Sequence, residues 1–125
     1  MELNLDWRER RSALGGEIGY EIRPLKVWAF QELMAFWEGR RRESQDGKSV
    51  VQVSPAESLK LMEIARRIFP SHVRNLSGVD VKAEGDLRPA TLEDLCEESL
   101  LIELAGEILG RLVAISDLKA DDEKN

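Results

Sequence analysis

The chain has 125 residues, of which 42% are hydrophobic, and a formal net charge of -6 at pH 7. A chain of this length and composition is expected to form one domain with its own core, without disulfides or a structural metal. Its one cysteine, Cys96, excludes an intrachain disulfide and any cysteine cluster for zinc or redox chemistry. We expect this side chain to behave as a small, half-buried hydrophobic residue.

Charge is distributed unevenly along the chain. Residues 1–75 hold 13 Lys/Arg and 11 Asp/Glu, whereas residues 76–125 hold 5 and 13. An acidic C-terminal half repels phosphate backbones and membrane surfaces, so we expect no nucleic-acid or membrane partner there and a protein partner that is basic or neutral. The charged start, MELNLDWRERR, lacks the apolar block of a signal peptide, which predicts a cytoplasmic protein.

The N-terminal residues predict an antiparallel β-hairpin. Two segments alternate apolar and polar residues with the period of a strand that has one buried face. Their apolar members are Leu3, Leu5 and Trp7 in the first segment and Ile18, Tyr20 and Ile22 in the second. Between them, Leu14-Gly15-Gly16 supplies residues that tolerate positive φ, as a hairpin connection requires.

A helix is predicted next, from about Leu25 to Arg41, because Pro24 ends a strand but suits the first turn of a helix. Its core stripe is predicted to be Val27, Phe30, Leu33, Met34 and Trp37, and further apolar residues away from this stripe are Trp28, Ala29, Ala35 and Phe36. A helix that is apolar nearly all round is either sandwiched or contacts a partner. For Trp28 and Phe36, burial under the hairpin is the simpler expectation and an exposed contact face is the alternative.

The middle of the chain predicts a loop followed by a well-defined helix. Residues 43–53 form the loop, with a turn at Asp46-Gly47 and a short strand as an option in its valine-rich part. Ser54-Pro55-Ala56-Glu57 then supplies an N-cap, a first-turn proline and a capping-box glutamate. The helix is expected to reach Phe69, where Pro70 stops or bends it. Its inward residues are predicted to be Leu61, Met62, Ala65, Ile68 and Phe69.

A short helix over 71–76 and a loop over 79–89 should follow.

Two more helical stretches are predicted from Thr91-Leu92-Glu93-Asp94, which resembles a helix start, to about Ser116. The core stripe of the second is predicted to be Leu101, Leu104, Ala105, Ile108, Leu112 and Ile115. A narrower stripe of Ile102, Leu109 and Val113 lies beside Gly106 and Gly110, two glycines that would let another backbone approach closely. Burial between helices is the simpler expectation for this stripe, and an exposed contact face is the alternative.

The predicted architecture is therefore α+β, with an N-terminal antiparallel β-hairpin followed by a mainly helical bundle of about four helices. Residues 1–118 form the single domain, and residues 119–125 are expected to be a charged, disordered tail.

No set of catalytic, cofactor-binding or metal-binding residues is recognisable, so we expect neither an enzyme nor a cofactor. His72 is the only histidine and is predicted to lie at the surface or to cap a helix. The carboxylates of Glu93, Asp94, Glu97 and Glu98 suit a helix start better than a metal site. The arginines at positions 8, 10 and 11 and at 40–42 are the features that favour nucleic acid, although 40–42 are also typical of a helix C-terminus.

Four segments, taken in order, resemble the tail-assembly chaperones of long-tailed bacteriophages and prophages. They are GYEIRPLKVWAFQELMAF, RRIFPSHVRNLSGVDV, ATLEDLCEE and ISDLKADDEKN, and the order of features to which they belong spans most of the chain. The resemblance implies a non-enzymatic protein of the bacterial cytoplasm that binds and solubilises the tape-measure protein and helps to recruit tail-tube subunits. Members of that family are often made in a short form and a longer form produced by ribosomal frameshifting, and the resemblance supplies no catalytic residues.

The sequence thus predicts a protein that binds other proteins through surplus apolar helix surface. The predicted partner-binding residues are Trp28, Phe36, Ile102, Leu109 and Val113. A second copy of the chain is the other partner that these residues would suit. An acidic secretion-type chaperone or a small adaptor is the alternative function, and a nucleic-acid-binding regulator that uses the arginines is the third hypothesis.

Overall fold

The computed structural model describes residues 2–38 and 54–117, together with the backbone of 41–43 and 49–51. The elements are β1 (Arg8–Arg11), β2 (Gly19–Ile22), α1 (Val27–Glu38), β3 (Arg41–Glu43), β4 (Ser49–Val51), α2 (Pro55–His72), β5 (Val73–Ser77), β6 (Asp80–Ala83), β7 (Asp86–Pro89), α3 (Leu92–Glu97), a short 3-10 turn (Ser99–Leu101) and α4 (Ile102–Ile115). This arrangement confirms the α+β prediction. The predicted tail at 119–125 lies outside the described residues.

The N-terminal hairpin is confirmed, with β1 and β2 antiparallel and Arg8 opposite Ile22. Its first strand begins later than predicted, and Leu3 and Leu5 are exposed. The reason is the length of the partner: β2 ends at Ile22, just before Arg23-Pro24, so nothing pairs with residues before Arg8. Tyr20 and Ile22 face the core as their alternation predicted.

A third strand, β5, pairs with the other edge of β2, so the sheet order is β1-β2-β5. The short helix predicted over 71–76 is therefore wrong. An extra residue on β5 interrupts the register, and Asn75 there adopts a φ of 56°, which asparagine tolerates better than most residues. Pairing between segments about fifty residues apart leaves no local signal in the sequence.

Residues 79–89, predicted as a loop, instead form the β6–β7 hairpin. Its two-residue turn, Glu84-Gly85, has φ of 53° and 86°, the conformation of a type I′ turn. Arg88 anchors the hairpin to α3 through paired bonds of 2.7 and 2.9 Å to the buried carboxylate of Asp94. This guanidinium, with the N–H and hydroxyl of Thr91, holds the pKa of Asp94 well below its usual range.

Helix α1 presents a different face to the core than predicted. Its buried residues are Ala29, Leu33 and Phe36, whereas Val27 is 73% exposed. Because the helix is apolar nearly all round, periodicity did not discriminate between faces, and the small Ala29 permits close packing. The helix ends at Glu38, so Arg41 and Arg42 lie in β3 and not at a helix C-terminus. Arg40 is outside the described residues.

Helix α2 begins as predicted, with the Ser54 and Glu57 side chains forming a capping box. The five predicted inward residues are buried, and Ile64 joins them. The helix continues through Pro70 to His72, so the predicted stop at Phe69 is wrong. Its last turn is held by packing of Phe69 and His72 in the core, which outweighs the backbone bond that proline removes.

His72 was predicted to lie at the surface or to cap a helix, and its complete burial shows that the surface alternative is wrong. Its Nδ1–H donates to the carbonyl of Ile68 at 2.8 Å, and its Nε2 accepts the Lys26 N–H at 3.0 Å just before α1. These bonds require the neutral Nδ1–H tautomer. Burial, with the nearby charges of Arg23 and Lys26, lowers the pKa of His72, although the Ile68 carbonyl acts to raise it.

Helix α4 closes the core beneath the sheet, and the buried members of its predicted stripe are confirmed from Leu104 to Ile115, with Leu101 partly buried. Glu107 accepts the Tyr20 hydroxyl at 2.9 Å and the Ala13 N–H at 2.6 Å, which fixes the hairpin on the helix. A side chain added at Gly106 or Gly110 would meet nothing within 4 Å, so no described backbone makes the close approach that these glycines suggested.

Burial of His72 should make the stability of the protein depend on pH. Its pKa in the folded chain lies below the ordinary 6.5, so the unfolded chain binds the proton more tightly. The contribution of neutral His72 to the free energy of unfolding is therefore present above pH 6.5 and is lost as the pH falls below it. We expect the urea midpoint to drop between about pH 7.5 and 5.5, a window in which histidine is the side chain that ordinarily titrates. In the His72→Gln variant the midpoint should be lower but nearly constant, and a wild-type midpoint that rises on acidification would contradict this account.

Gly78 should be required for the turn that follows β5. It has a φ of 80°, and a Cβ there would overlap the backbone carbonyl of Glu17 in the β1–β2 connection. We expect Gly78→Ala to lower the free energy of unfolding by about 3 kcal/mol, measured by urea denaturation. Gly85→Ala is the matched control, because its φ of 86° is similar but no atom lies within 4 Å. It should cost only about 1 kcal/mol, and equal effects at both sites would argue against the overlap.

Candidate protein-binding surface

The side of α2 that faces α3 is only partly covered, because α2 has 18 residues and α3 has six. Two grooves of about 220 and 250 Å³ lie along this side and adjoin at Cys96, which lines both. We term them together the α2 groove. Its described lining residues are Pro55, Ser58, Leu59, Met62, Arg66, Phe69 and Pro70 of α2, and Leu92, Glu93, Cys96, Glu97, Glu98, Ser99 and Ile102 from α3 to the start of α4.

The α2 groove is apolar and open to solvent. Leu59 is 67% exposed and Ile102 is 39% exposed, although both are large aliphatic residues on its walls. Leu100, 97% exposed, lies on the short turn whose first residue, Ser99, lines the same groove. Single exposed leucines are common on protein surfaces, but two exposed aliphatic side chains on the walls of one groove, with Leu100 on the adjoining turn, make this groove the candidate contact surface.

The rim of the groove on the α3 side is acidic. Glu93, Glu97 and Glu98 line it there, and Arg66 is the basic residue among the described lining residues. The Arg66 guanidinium reaches across from α2 to Glu97 at 3.2 Å and to Glu93 at 3.9 Å. Exposed ion pairs of this kind contribute little to stability, so they rearrange readily when a partner binds.

Cys96 is half-buried, as predicted, at the point where the two grooves meet. Burial raises the pKa of its thiol, with Glu97 and Glu93 adding to the effect and Arg66 opposing it. The thiol therefore stays protonated at neutral pH, which makes it an apolar wall residue and a poor nucleophile.

The structure separates the five residues predicted to bind a partner. Phe36 and Leu109 lie in the core, 4% and 0% exposed, so neither belongs to a contact surface, and Val113 is partly buried against the same core. Trp28 is 47% exposed but stands at the start of α1, where its ring packs edge-to-face on His72. Of the five, Ile102 is the residue found among the described lining of the α2 groove.

Sequence reasoning missed Leu59 and Leu100. Leu59 lies outside the stripe predicted for α2, and Leu100 falls where α3 gives way to α4. A signal was present in Ser99-Leu100-Leu101-Ile102, because three consecutive large apolar residues cannot all turn to one side of a helix.

Two other concave regions are less suited to a partner. One, between α1 and α2, is lined by Ala35, Phe36 and Ile64 but is flanked by the ion pair of Arg67 and Glu32. The other, on the outer face of the sheet, is polar, and its charges are already engaged with one another. In it Glu21 accepts from Asn75 at 2.5 Å, and Arg11 pairs with Glu9 at 3.3 Å.

Polar groups in and near the core of the described residues are bonded within the fold. The Tyr20 hydroxyl donates to Glu107 and accepts from Arg111 at 2.8 Å, and burial together with Glu107 raises the pKa of Tyr20 to about 12. Both ring nitrogens of His72 are bonded to backbone. Within the described ranges, no three His, Cys, Asp or Glu residues are placed to hold a metal ion.

None of the helices in the described part of the chain combines the length and the apolar composition needed to cross a membrane. Comparison of the chain with family models, with curated proteins and with solved structures finds nothing that matches.

Proposed function

We propose that this chain is a non-enzymatic tail-assembly chaperone of a bacteriophage or prophage. In this role it binds an apolar helical segment of the tape-measure protein in the α2 groove and keeps that client soluble during tail assembly. The observation that supports the proposal is the groove itself, an apolar channel walled by Leu59 and Ile102 that no described part of the chain fills.

Binding an apolar helix in this groove is favourable for a simple reason. Each large aliphatic side chain that a client removes from water contributes about 1.5 to 3 kcal/mol at full burial, and somewhat less where the side chain is already half-buried. The same burial protects the client, whose apolar face would otherwise drive aggregation. The acidic surface around the groove keeps the complex soluble.

The order of sequence features favours the tape-measure protein as the client. The segments that resemble tail-assembly chaperones include ATLEDLCEE, which forms α3 and part of the groove wall. An acidic secretion-type chaperone or a small adaptor would use the same groove. Neighbouring genes separate these functions, because a tail-tube gene and a very long helical reading frame belong to a tail-assembly locus.

The contacts of the described arginines give less support to the third hypothesis, a nucleic-acid-binding regulator. Arg11 pairs with Glu9, and Arg8 donates to the carbonyls of Asn4 and Ile115. Arg74 stacks over Trp7 and lies 3.4 Å from Glu21. Side chains engaged in this way are poorly placed to contact a row of phosphates.

Client binding is tested by co-expressing the chain with the tape-measure protein of its locus. We expect the client to become soluble and to co-purify, and Leu59→Gln/Ile102→Gln to reduce co-purification about tenfold through lost apolar contact. Leu87→Gln is the matched control, because Leu87 is also 67% exposed but lies on the β6–β7 hairpin away from the groove.

The variants must keep the wild-type unfolding midpoint, which is expected since both groove residues are partly exposed already. No gain in client solubility with the wild-type chain would count against the proposed function. An equal loss of binding in the Leu87→Gln control would mean that the α2 groove is not the binding site.

A further inference from the structure

We infer that the segment bound in the α2 groove is a basic amphipathic helix, with an apolar face toward α2 and Lys or Arg along the edge that meets α3. This inference rests on the proposed function, since it specifies the partner of the same groove. It adds the length, the periodicity and the charge of that partner.

The length and shape of the groove suit a helix. Its α2 wall runs from Pro55 to Pro70, which is about 22 Å at the rise of an α-helix and matches a partner of about 15 residues. Along this wall the lining residues recur at spacings of three and four, so they form one straight face of α2. A helix laid against such a face contributes its own residues at the same spacings.

The charge of the groove selects among apolar helices. Glu93, Glu97 and Glu98 stand on the α3 side, and Arg66 is the cation that faces them. The groove therefore has an excess of negative charge along one edge, because Glu98 lines it as well and Arg88, the cation whose charge acts on Glu98, is already bonded to Asp94. Lys or Arg on the matching edge of a partner would neutralise this excess of negative charge, whereas acidic residues there would be repelled.

The same charges argue against a second copy of the chain as the occupant. The net charge is -6, and residues 76–125, which provide the acidic edge, hold 13 Asp/Glu against 5 Lys/Arg. A symmetric pair of grooves would place like charges opposite one another, which is unfavourable at low salt. A basic segment from another polypeptide avoids this repulsion.

Two synthetic helices of about 16 residues test the inference, because they differ only in charge. Both have leucines at spacings of three and four on one face; one has lysines on the flanks of that face and the other has glutamates. Their affinities for the full chain are measured by fluorescence anisotropy. We expect the lysine peptide to bind at least about tenfold more tightly at low salt, with the difference shrinking at about 0.5 M NaCl.

The second part of the experiment reverses charges on the protein. Glu97→Lys/Glu98→Lys should weaken the lysine peptide about tenfold and strengthen the glutamate peptide. Glu2→Lys/Asp6→Lys is the matched control, because it changes the net charge equally at exposed residues of the N-terminal segment, away from the groove lining. Circular dichroism verifies that each variant is folded.

The outcomes distinguish this inference from the proposed function. Equal affinities of the two peptides, or binding of neither, overturns the basic-helix inference, while the co-expression test of Leu59 and Ile102 still decides the proposed function. A dimer detected by analytical ultracentrifugation that is disrupted by Leu59→Gln/Ile102→Gln would identify a second copy as the occupant and also overturn the inference.

Discussion

The structure depends on α2, the longest described helix, against which the three other α-helices and β5 pack. It contacts α1, α3, α4 and β5, and its buried face includes Ile64, Ala65, Ile68 and Phe69. A helix of 18 residues is longer than any described neighbour, so no single neighbour covers its whole length. This mismatch in length has two consequences, a core that is continuous along α2 and a groove where α3 ends.

Three polar side chains, His72 and Asp94 buried and Glu107 partly buried, fix how the other elements meet around that helix. His72 joins the end of α2 to the start of α1, Asp94 joins α3 to the β6–β7 hairpin, and Glu107 joins α4 to the β1–β2 connection. Each is satisfied by named partners, and leaving such a buried group unpaired costs about 1 to 3 kcal/mol. Apolar packing alone would tolerate shifts of the elements relative to one another, whereas these directional hydrogen bonds form in only one arrangement.

The exposed leucines at the α2 groove contribute less to folding than the core does. Leu59 and Leu100 remain largely in water, whereas Ile102 is 39% exposed, so replacing the two leucines by polar residues removes little of the folding free energy. An apolar surface that stays exposed in the folded chain is typical of protein contact sites. In the proposed complex its acidic edge favours a basic partner, and Cys96, whose thiol pKa is raised by burial, is one of the wall residues.

The sequence by itself determined the α+β class, the N-terminal hairpin, the capping box at Ser54, the helix start at Thr91, and the buried stripes of α2 and α4. These features are local: a cap is decided within four residues, and a one-sided stripe within a few turns. Only the tertiary structure decided that residues 73–77 pair with β2, that α1 turns Phe36 inward, and that His72 is buried. Strand pairing joins distant residues, and a helix that is apolar all round has no preferred face until its neighbours are in place. The α2 groove is likewise a feature of the tertiary structure, because the exposure of Leu59 depends on where α3 ends.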